Sequence, residues 1–114
     1  FEARIHDLSP GKAPEYQAII ENEAIAIQRP ALGRLVGYYV SDIGPLHQIV
    51  HIWGYDSIED RAGRRQTLLG DPRWRAIGAR LQPLCARQQN KILLPLSFSP
   101  GFENEAPQSA ARTR

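Results

Sequence analysis

Arginine, histidine, tyrosine and tryptophan, side chains that can bind or transform small molecules, cluster in two short stretches of this chain. One residue separates Arg4 from His6, and His51, Trp53 and Tyr55 likewise occupy every second position. Because side chains alternate along a β-strand, each set would lie on one face of its strand. An arginine polarises a carbonyl, a histidine shuttles a proton, and an indole stacks on a planar molecule. The candidate catalytic residues are Arg4, His6 and His51, and the candidate pocket residues are Tyr38, Trp53 and Tyr55.

A structural role is the alternative for the same residues. Buried histidines are usually held by hydrogen bonds, and aromatic side chains commonly fill dimer interfaces. Arg4 would be structural if it paired with Glu2 or Asp56. We expect no metal, because the four-residue step from His47 to His51 aligns ligands on a helix, whereas a turn and a strand are predicted here. The chain also has no glycine-rich phosphate loop and no nucleophile elbow, so no cofactor is predicted.

The segment that must position these residues runs from Leu35 to Asp56 (LVGYYVSDIGPLHQIVHIWGYD). Two runs rich in β-branched and aromatic residues flank a turn-forming cluster at residues 42–45. In the second run, one face would be aliphatic and the other would carry His51 and Trp53 among its side chains. That aromatic face must be covered. The sequence therefore predicts a β-hairpin. Whatever packs against its aromatic face determines how the protein assembles.

The remaining elements follow from apolar periodicity and from capping residues. An opening strand precedes a helix that Pro30 should end, and the hairpin follows. Ser57 and Asp71 are predicted N-caps of two further helices, with a break near Gln82 before Pro83. The predicted spans are a strand at 1–8, a helix to about residue 28, the hairpin, the helix pair, a strand at 90–96 and a tail at 98–114.

This order predicts an α+β, ferredoxin-like βαββαβ domain over residues 1–97, with helices on one face of a four-stranded antiparallel sheet. The other face would stay bare. We expect Trp53 on that bare face, with the polar residues turned toward a second copy in a homodimer. The predicted assembly is thus two sheets paired face to face, and the sequence leaves open whether a pocket lies between the two sheets or between the sheet and the helices.

Composition narrows the partners. The chain has 114 residues, a formal net charge of +2 and one cysteine, Cys85. Its arginine-rich segment is interrupted by Glu59, Asp60 and Asp71, which is typical of a solvated helix rather than of a nucleic-acid surface. No run is long and apolar enough for a membrane. We therefore expect a cytoplasmic protein with no nucleic-acid and no membrane partner, in which Cys85 fills the core.

Several blocks resemble one known family. They are EARIHDLSPGK at the start, LVGYYVSDIGPLHQIVHIWGYDSIEDR over the hairpin, GDPRW, and QNKILLPLSFSP near the end. On these blocks the chain resembles the NIPSNAP family. The resemblance implies a dimeric α+β barrel, in which two ferredoxin-like subunits join sheet to sheet. It implies no reaction.

Two functions remain open at this point. A non-catalytic dimer with an interaction role is slightly favoured, because of the arginine-rich helix and the polar tail. The alternative is a small-molecule-binding protein or a cofactor-independent enzyme, monooxygenase-like or isomerase-like, acting on a planar or carbonyl-bearing compound. Proteins that share this barrel perform such reactions, but transfer from the fold alone is analogy. The sequence leaves undecided whether the protein is an enzyme.

Overall fold

A computed structural model describes residues 1–100 of the chain. The strands are β1 (Glu2–Leu8), β2 (Arg34–Val40), β3 (Gln48–Gly54) and β4 (Cys85–Ile92). The helices are α1 (Ala13–Ile19), α2 (Ile25–Leu32), α3 (Ile58–Leu69) and α4 (Pro72–Leu81). A π-helical turn, Ile20–Ala24, joins α1 to α2, and a 3-10 turn, Gln82–Leu84, follows α4. Most of the predicted tail, 98–114, lies outside the described residues, so its role stays a prediction.

The four strands form one antiparallel sheet in the order β2-β3-β1-β4. The two central strands, β1 and β3, place Arg4 opposite His51. On the other side of β3, Tyr38 of β2 lies opposite His51. The predicted α+β, ferredoxin-like sheet is therefore confirmed. Its register brings the polar residues of three strands to one place on one face.

The helices cover the face that carries the aromatic residues. Trp53 is fully buried and lies in one apolar cluster with Leu32 at the end of α2 and Leu68 of α3. The prediction that Trp53 faces a second copy from the bare side of the sheet is wrong. Helices α2 and α3 supply the apolar cover within the chain, because their buried side chains lie over β3. The second cluster contains residues of β1, α1, the π-helical turn, β3, α4 and the 3-10 turn: Leu8, Ala13, Tyr16, Ile19, Ile20, Ala24, Ile49, Ile77, Leu81 and Leu84.

Two element boundaries differ from the prediction. Pro30 lies inside α2, which continues to Leu32 and ends at Gly33, whose φ is +91°. A proline in the last turn removes few helical hydrogen bonds, and a positive φ suits glycine. Strand β4 begins at Cys85 and ends at Ile92, earlier than the predicted 90–96. Its first half is polar and exposed, and it is a strand because its backbone pairs with β1, a contact that local propensity does not reveal.

The predicted helix starts around the site are confirmed. The Ser57 hydroxyl accepts a hydrogen bond from Asp60 N at 2.9 Å, and an Asp71 carboxylate oxygen accepts one from Arg73 N at 2.8 Å. These caps satisfy backbone donors that the first turn of a helix leaves unpaired. They fix where α3 and α4 begin, and hence which side chains of these helices face the sheet.

Within residues 1–100, no helix is both long enough and apolar enough to cross a membrane.

Candidate functional site

A pocket of about 520 Å³ lies between the sheet and the helices. Its size falls within the range of about 300 to 1,000 Å³ that is usual for small-molecule sites. Its sheet side carries Arg4 and His6 of β1, Tyr38 of β2 and His51 of β3. Its helix side includes Tyr16, Ile20, Gln28, Arg65, Leu69, Trp74, Gly78 and Leu81. The structure thus brings together all three candidate catalytic residues and one of the candidate pocket residues.

Three rings are stacked along the sheet at the floor of this pocket. The Tyr38 and His51 rings are nearly parallel, with centroids 4.4 Å apart, and the His51 and His6 rings follow at 5.2 Å. Each ring comes from a different strand, so the register of the sheet sets the stack. The Tyr38 hydroxyl also donates to the Gln28 side-chain oxygen of α2 at 3.3 Å. The floor is held on both the sheet and the helix sides.

A directed chain of hydrogen bonds determines the protonation of both histidines. Trp53 Nε1 lies 2.7 Å from His51 Nδ1, and indole can only donate, so His51 Nδ1 accepts. The proton of neutral His51 is therefore on Nε2, which donates to His6 Nε2 at 3.1 Å. Neutral His6 then carries its proton on Nδ1, which lies 3.9 Å from Cys85 Sγ. The thiol in turn donates to the Arg87 carbonyl at 3.2 Å.

This chain keeps both rings uncharged. Burial, together with the positive charge of the nearby Arg4 guanidinium, lowers the pKa of His6 to about 4. Burial, together with His6 and Arg4, lowers the pKa of His51 to about 3. A second proton on either ring would need a nitrogen that already accepts a hydrogen bond. Protonation therefore breaks the chain, and at neutral pH both rings are neutral.

The charged end of the site is organised by Glu2, which is completely buried. Arg61 of α3 donates to both Glu2 carboxylate oxygens, at 3.1 and 2.8 Å. Arg4 and Asn90 donate to one of the same oxygens, at 3.1 and 2.8 Å. These partners overcome the effect of burial and lower the pKa of Glu2 to about 2. Arg4 is thus ion-paired as well as pocket-lining, so part of its role is the structural alternative foreseen from the sequence.

Two candidate residues lie outside the pocket. Trp53 contributes its N–H to His51 and is otherwise enclosed by apolar side chains, so it positions the site without lining it. Tyr55 lines a separate hollow near Arg61 and the end of β4. Its buried hydroxyl has no hydrogen-bond partner among residues 1–100, and burial raises its pKa. His51, Trp53 and Tyr55 thus follow the predicted alternation, but only His51 of these three lines the pocket.

Sequence reasoning missed Arg65, Gln28 and Cys85 as pocket residues. Arg65 belongs to the arginine-rich segment, which the sequence predicts to be a solvent-exposed helix surface. Its four-residue spacing from Arg61 would have placed both side chains on one helix face, the face that also carries buried Leu68. Cys85 is half-buried, and burial raises the pKa of its thiol, so a thiolate nucleophile is disfavoured. Over the described residues, no group of three or more His, Cys, Asp or Glu side chains is arranged to hold a metal ion.

The order of elements and this pocket define a ferredoxin-like α+β protein with a polar site between its sheet and its helices. The NIPSNAP family model matches residues 1–100. The chain belongs to the NIPSNAP family.

Curated relatives agree with this assignment. The NipSnap homolog of Dictyostelium discoideum is 32% identical over 98 residues, covering 86% of this chain and 43% of that protein. NipSnap of Drosophila melanogaster is 33% identical over 101 residues, covering 88% of this chain and 36% of that protein. The chain therefore spans less than half the length of these relatives.

Solved structures extend the comparison. A NIPSNAP family protein from Agrobacterium tumefaciens has 52% identity and a TM-score of 0.85, with 87% of this chain and 94% of that chain covered. A NIPSNAP-like domain protein from Burkholderia xenovorans has 58% identity and a TM-score of 0.84, with 87% and 86% covered. A predicted antibiotic biosynthesis monooxygenase from Nitrosomonas europaea is only 12% identical, with a TM-score of 0.61 and 83% and 96% covered. This last likeness concerns the fold alone.

Proposed function

We propose that this chain binds a small planar or carbonyl-bearing organic molecule in the pocket between sheet and helices. The observation that carries the proposal is the convergence of Arg4, His6, Tyr38 and His51, from three strands, on a single pocket of about 520 Å³. Pockets of this size with a few convergent polar groups among apolar walls are typical of ligand sites. The apolar walls here include Ile20, Leu69 and Trp74.

Binding fits the site better than acid–base catalysis. A general base needs a ring nitrogen free to take a proton at the working pH. In the neutral pair, both accepting nitrogens, His51 Nδ1 and His6 Nε2, already receive hydrogen bonds. The pair holds a fixed set of donors and acceptors, which suits recognition. We therefore favour a non-catalytic binding protein over a monooxygenase-like or isomerase-like enzyme.

Filling the pocket tests this proposal. Gly78 of α4 lines the pocket, and a Cβ built on it meets no atom within 4 Å, so Gly78→Leu adds bulk there without a backbone clash. We expect NMR screening of planar aromatic aldehydes, amides, quinones and carboxylates to find compounds that bind the wild-type chain. Gly78→Leu should weaken their binding by about tenfold or more, because the side chain occupies their space.

Gly63→Leu is the matched control. Gly63 also has open space around its Cβ position, but it belongs to α3 and does not line the pocket. This variant should bind the same compounds as tightly as the wild type. A panel in which no compound binds, or in which Gly78→Leu leaves every affinity unchanged, would refute the proposal.

We also propose that two copies pair through the uncovered face of the sheet. Strand alternation places four apolar residues on that face: Ile5, Val50, Ile52 and Tyr39. In the single chain the three aliphatic side chains are partly exposed and Tyr39 is exposed. A contiguous apolar patch of this kind favours burial in an assembly, and a sheet face can pair with its own copy around a two-fold axis. The family resemblance implies the same pairing. The interaction role of such a dimer and the cytoplasmic location stay predictions from the sequence.

Sedimentation measures this assembly. The wild type should sediment at twice the 12.8 kDa mass of one chain, and Ile52→Asp should shift it to the monomer, because a carboxylate would be buried in the interface. Ile58→Asp changes an equally apolar but exposed residue of α3, and it should leave the dimer intact. A monomeric wild type would rule the pairing out.

A further inference from the structure

We infer that the ligand of the sheet–helix pocket is an organic anion, with a carboxylate or a similar group that Arg65 binds. This inference rests on the proposed function and specifies the ligand class. Arg65 of α3 lines the pocket and is half-buried. Unlike Arg61 and Arg64 on the same helix, it makes no hydrogen bond or ion pair within residues 1–100.

The side chains that line the pocket carry more positive than negative charge. Three arginines line it, Arg4, Arg65 and Arg87, and no described Asp or Glu does. Arg87 is mostly exposed and pairs with Asp7 at 3.3 Å. Nearby, the buried carboxylate of Glu2 is already ion-paired with Arg4 and Arg61. Among residues 1–100, Arg65 therefore has no ion-paired carboxylate of its own.

An unmatched guanidinium in a partly desolvated position carries a free-energy cost. Burial and the positive charge of Arg4 lower the pKa of Arg65, and the nearby Glu2 carboxylate offsets only part of this effect. A fold can retain such a cost where a ligand removes it, and guanidinium binds carboxylate through two parallel charge-assisted hydrogen bonds. The chemistry that best completes this pocket is a planar anion.

The Nδ1–H group of His6 is a second hydrogen-bond donor for the same anion. The Nδ1 proton of His6 faces only the weakly accepting Cys85 sulfur, at 3.9 Å, the longest contact in the hydrogen-bond chain. The side chains of Ile20, Leu69, Trp74 and Leu81 supply apolar walls for the rest of the molecule. The ligand class is therefore an apolar, planar body that carries one carboxylate.

The test compares 2-naphthoate with its neutral isostere 2-naphthamide by titration calorimetry. The wild type should bind the carboxylate at least about tenfold more tightly, since charge-assisted hydrogen bonds to arginine are roughly twice as strong as neutral ones. Arg65→Met keeps the apolar stem but removes the charge and the donors. It should abolish the preference, because it weakens 2-naphthoate binding far more than 2-naphthamide binding. Arg64→Met, one residue away and outside the pocket, should keep the preference.

A second measurement needs no ligand. Without anion, Arg65→Met should unfold at a higher temperature than the wild type, by about 2 to 5 °C for a domain of this size, because the uncompensated charge is gone. Arg64→Met should not unfold at a higher temperature, since it loses its 2.9 Å ion pair with Asp60.

The outcomes separate the two proposals. Binding of both naphthyl compounds with equal affinity, blocked by Gly78→Leu, would keep the pocket and overturn the anionic ligand. Failure of both compounds to bind, together with a screening panel in which nothing binds, would overturn the pocket itself. An Arg65→Met variant that unfolds at a lower temperature than the wild type would also count against an unmatched charge at this position.

Discussion

Urea unfolding at pH 5 should give a free energy of unfolding about 3 to 4 kcal/mol lower than at pH 7, because two buried histidines stay neutral in the fold. The pKa of His6 is lowered to about 4 and that of His51 to about 3. In the unfolded chain both return to about 6.5. Below pH 6.5 the unfolded chain therefore binds two protons that the native state does not bind. The free energy of unfolding decreases further as the pH falls toward 4.

The measurement must keep protein concentration constant, because any association shifts the apparent stability. His47→Asn is the matched control, since His47 is exposed in the β2–β3 loop. This variant should retain the whole difference between the two pH values. Equal stability at pH 7 and pH 5 would show that the ring nitrogens of His6 and His51 can be protonated in the fold, and the hydrogen-bond chain through Trp53 would then be wrong.

Glu2→Gln should lower the free energy of unfolding by about 3 to 5 kcal/mol, as expected when one member of a buried ion pair is neutralised. The side chain is fully buried and is held by Arg61, Arg4 and Asn90. Glutamine keeps the shape but loses the charge, and its amide turns a donor toward groups that are themselves donors. Arg4 and Arg61 would then lose the counter-charge that they share.

Glu23→Gln provides the comparison on the same protein. Glu23 makes two hydrogen bonds with Arg80, at 2.6 and 2.9 Å, so its geometry resembles the Glu2–Arg61 pair. Both side chains of the Glu23–Arg80 pair are exposed, however, and solvent screens such pairs strongly. The substitution should have little effect on chemical denaturation. A Glu2→Gln variant as stable as Glu23→Gln would mean that burial adds nothing to the Glu2 cluster.

Local sequence signals determined the architecture, because they act over a few residues. Alternation put Glu2, Arg4 and His6 on one face of β1, and capping by Ser57 and Asp71 set the starts of α3 and α4. Such rules are weaker where an element depends on its partner. Strand β4 begins at Cys85 with polar, exposed residues, and only its backbone pairing with β1 makes it a strand. Local propensity therefore predicted the start of this strand at residue 90, five residues later than its observed start at Cys85.

The candidate site shows the same division. The sequence by itself determined that Arg4, His6 and His51 could share one face, because parity is a property of each strand. The tertiary structure decided that this face lies under α2 and α3, which buries Trp53 and excludes Tyr55 from the pocket. It also decided that Arg65, which is 61 residues from Arg4 and 59 from His6 in the sequence, lines the same pocket with no ion pair among residues 1–100. Burial, register and charge balance depend on contacts between distant segments, and no local pattern in the sequence contains them.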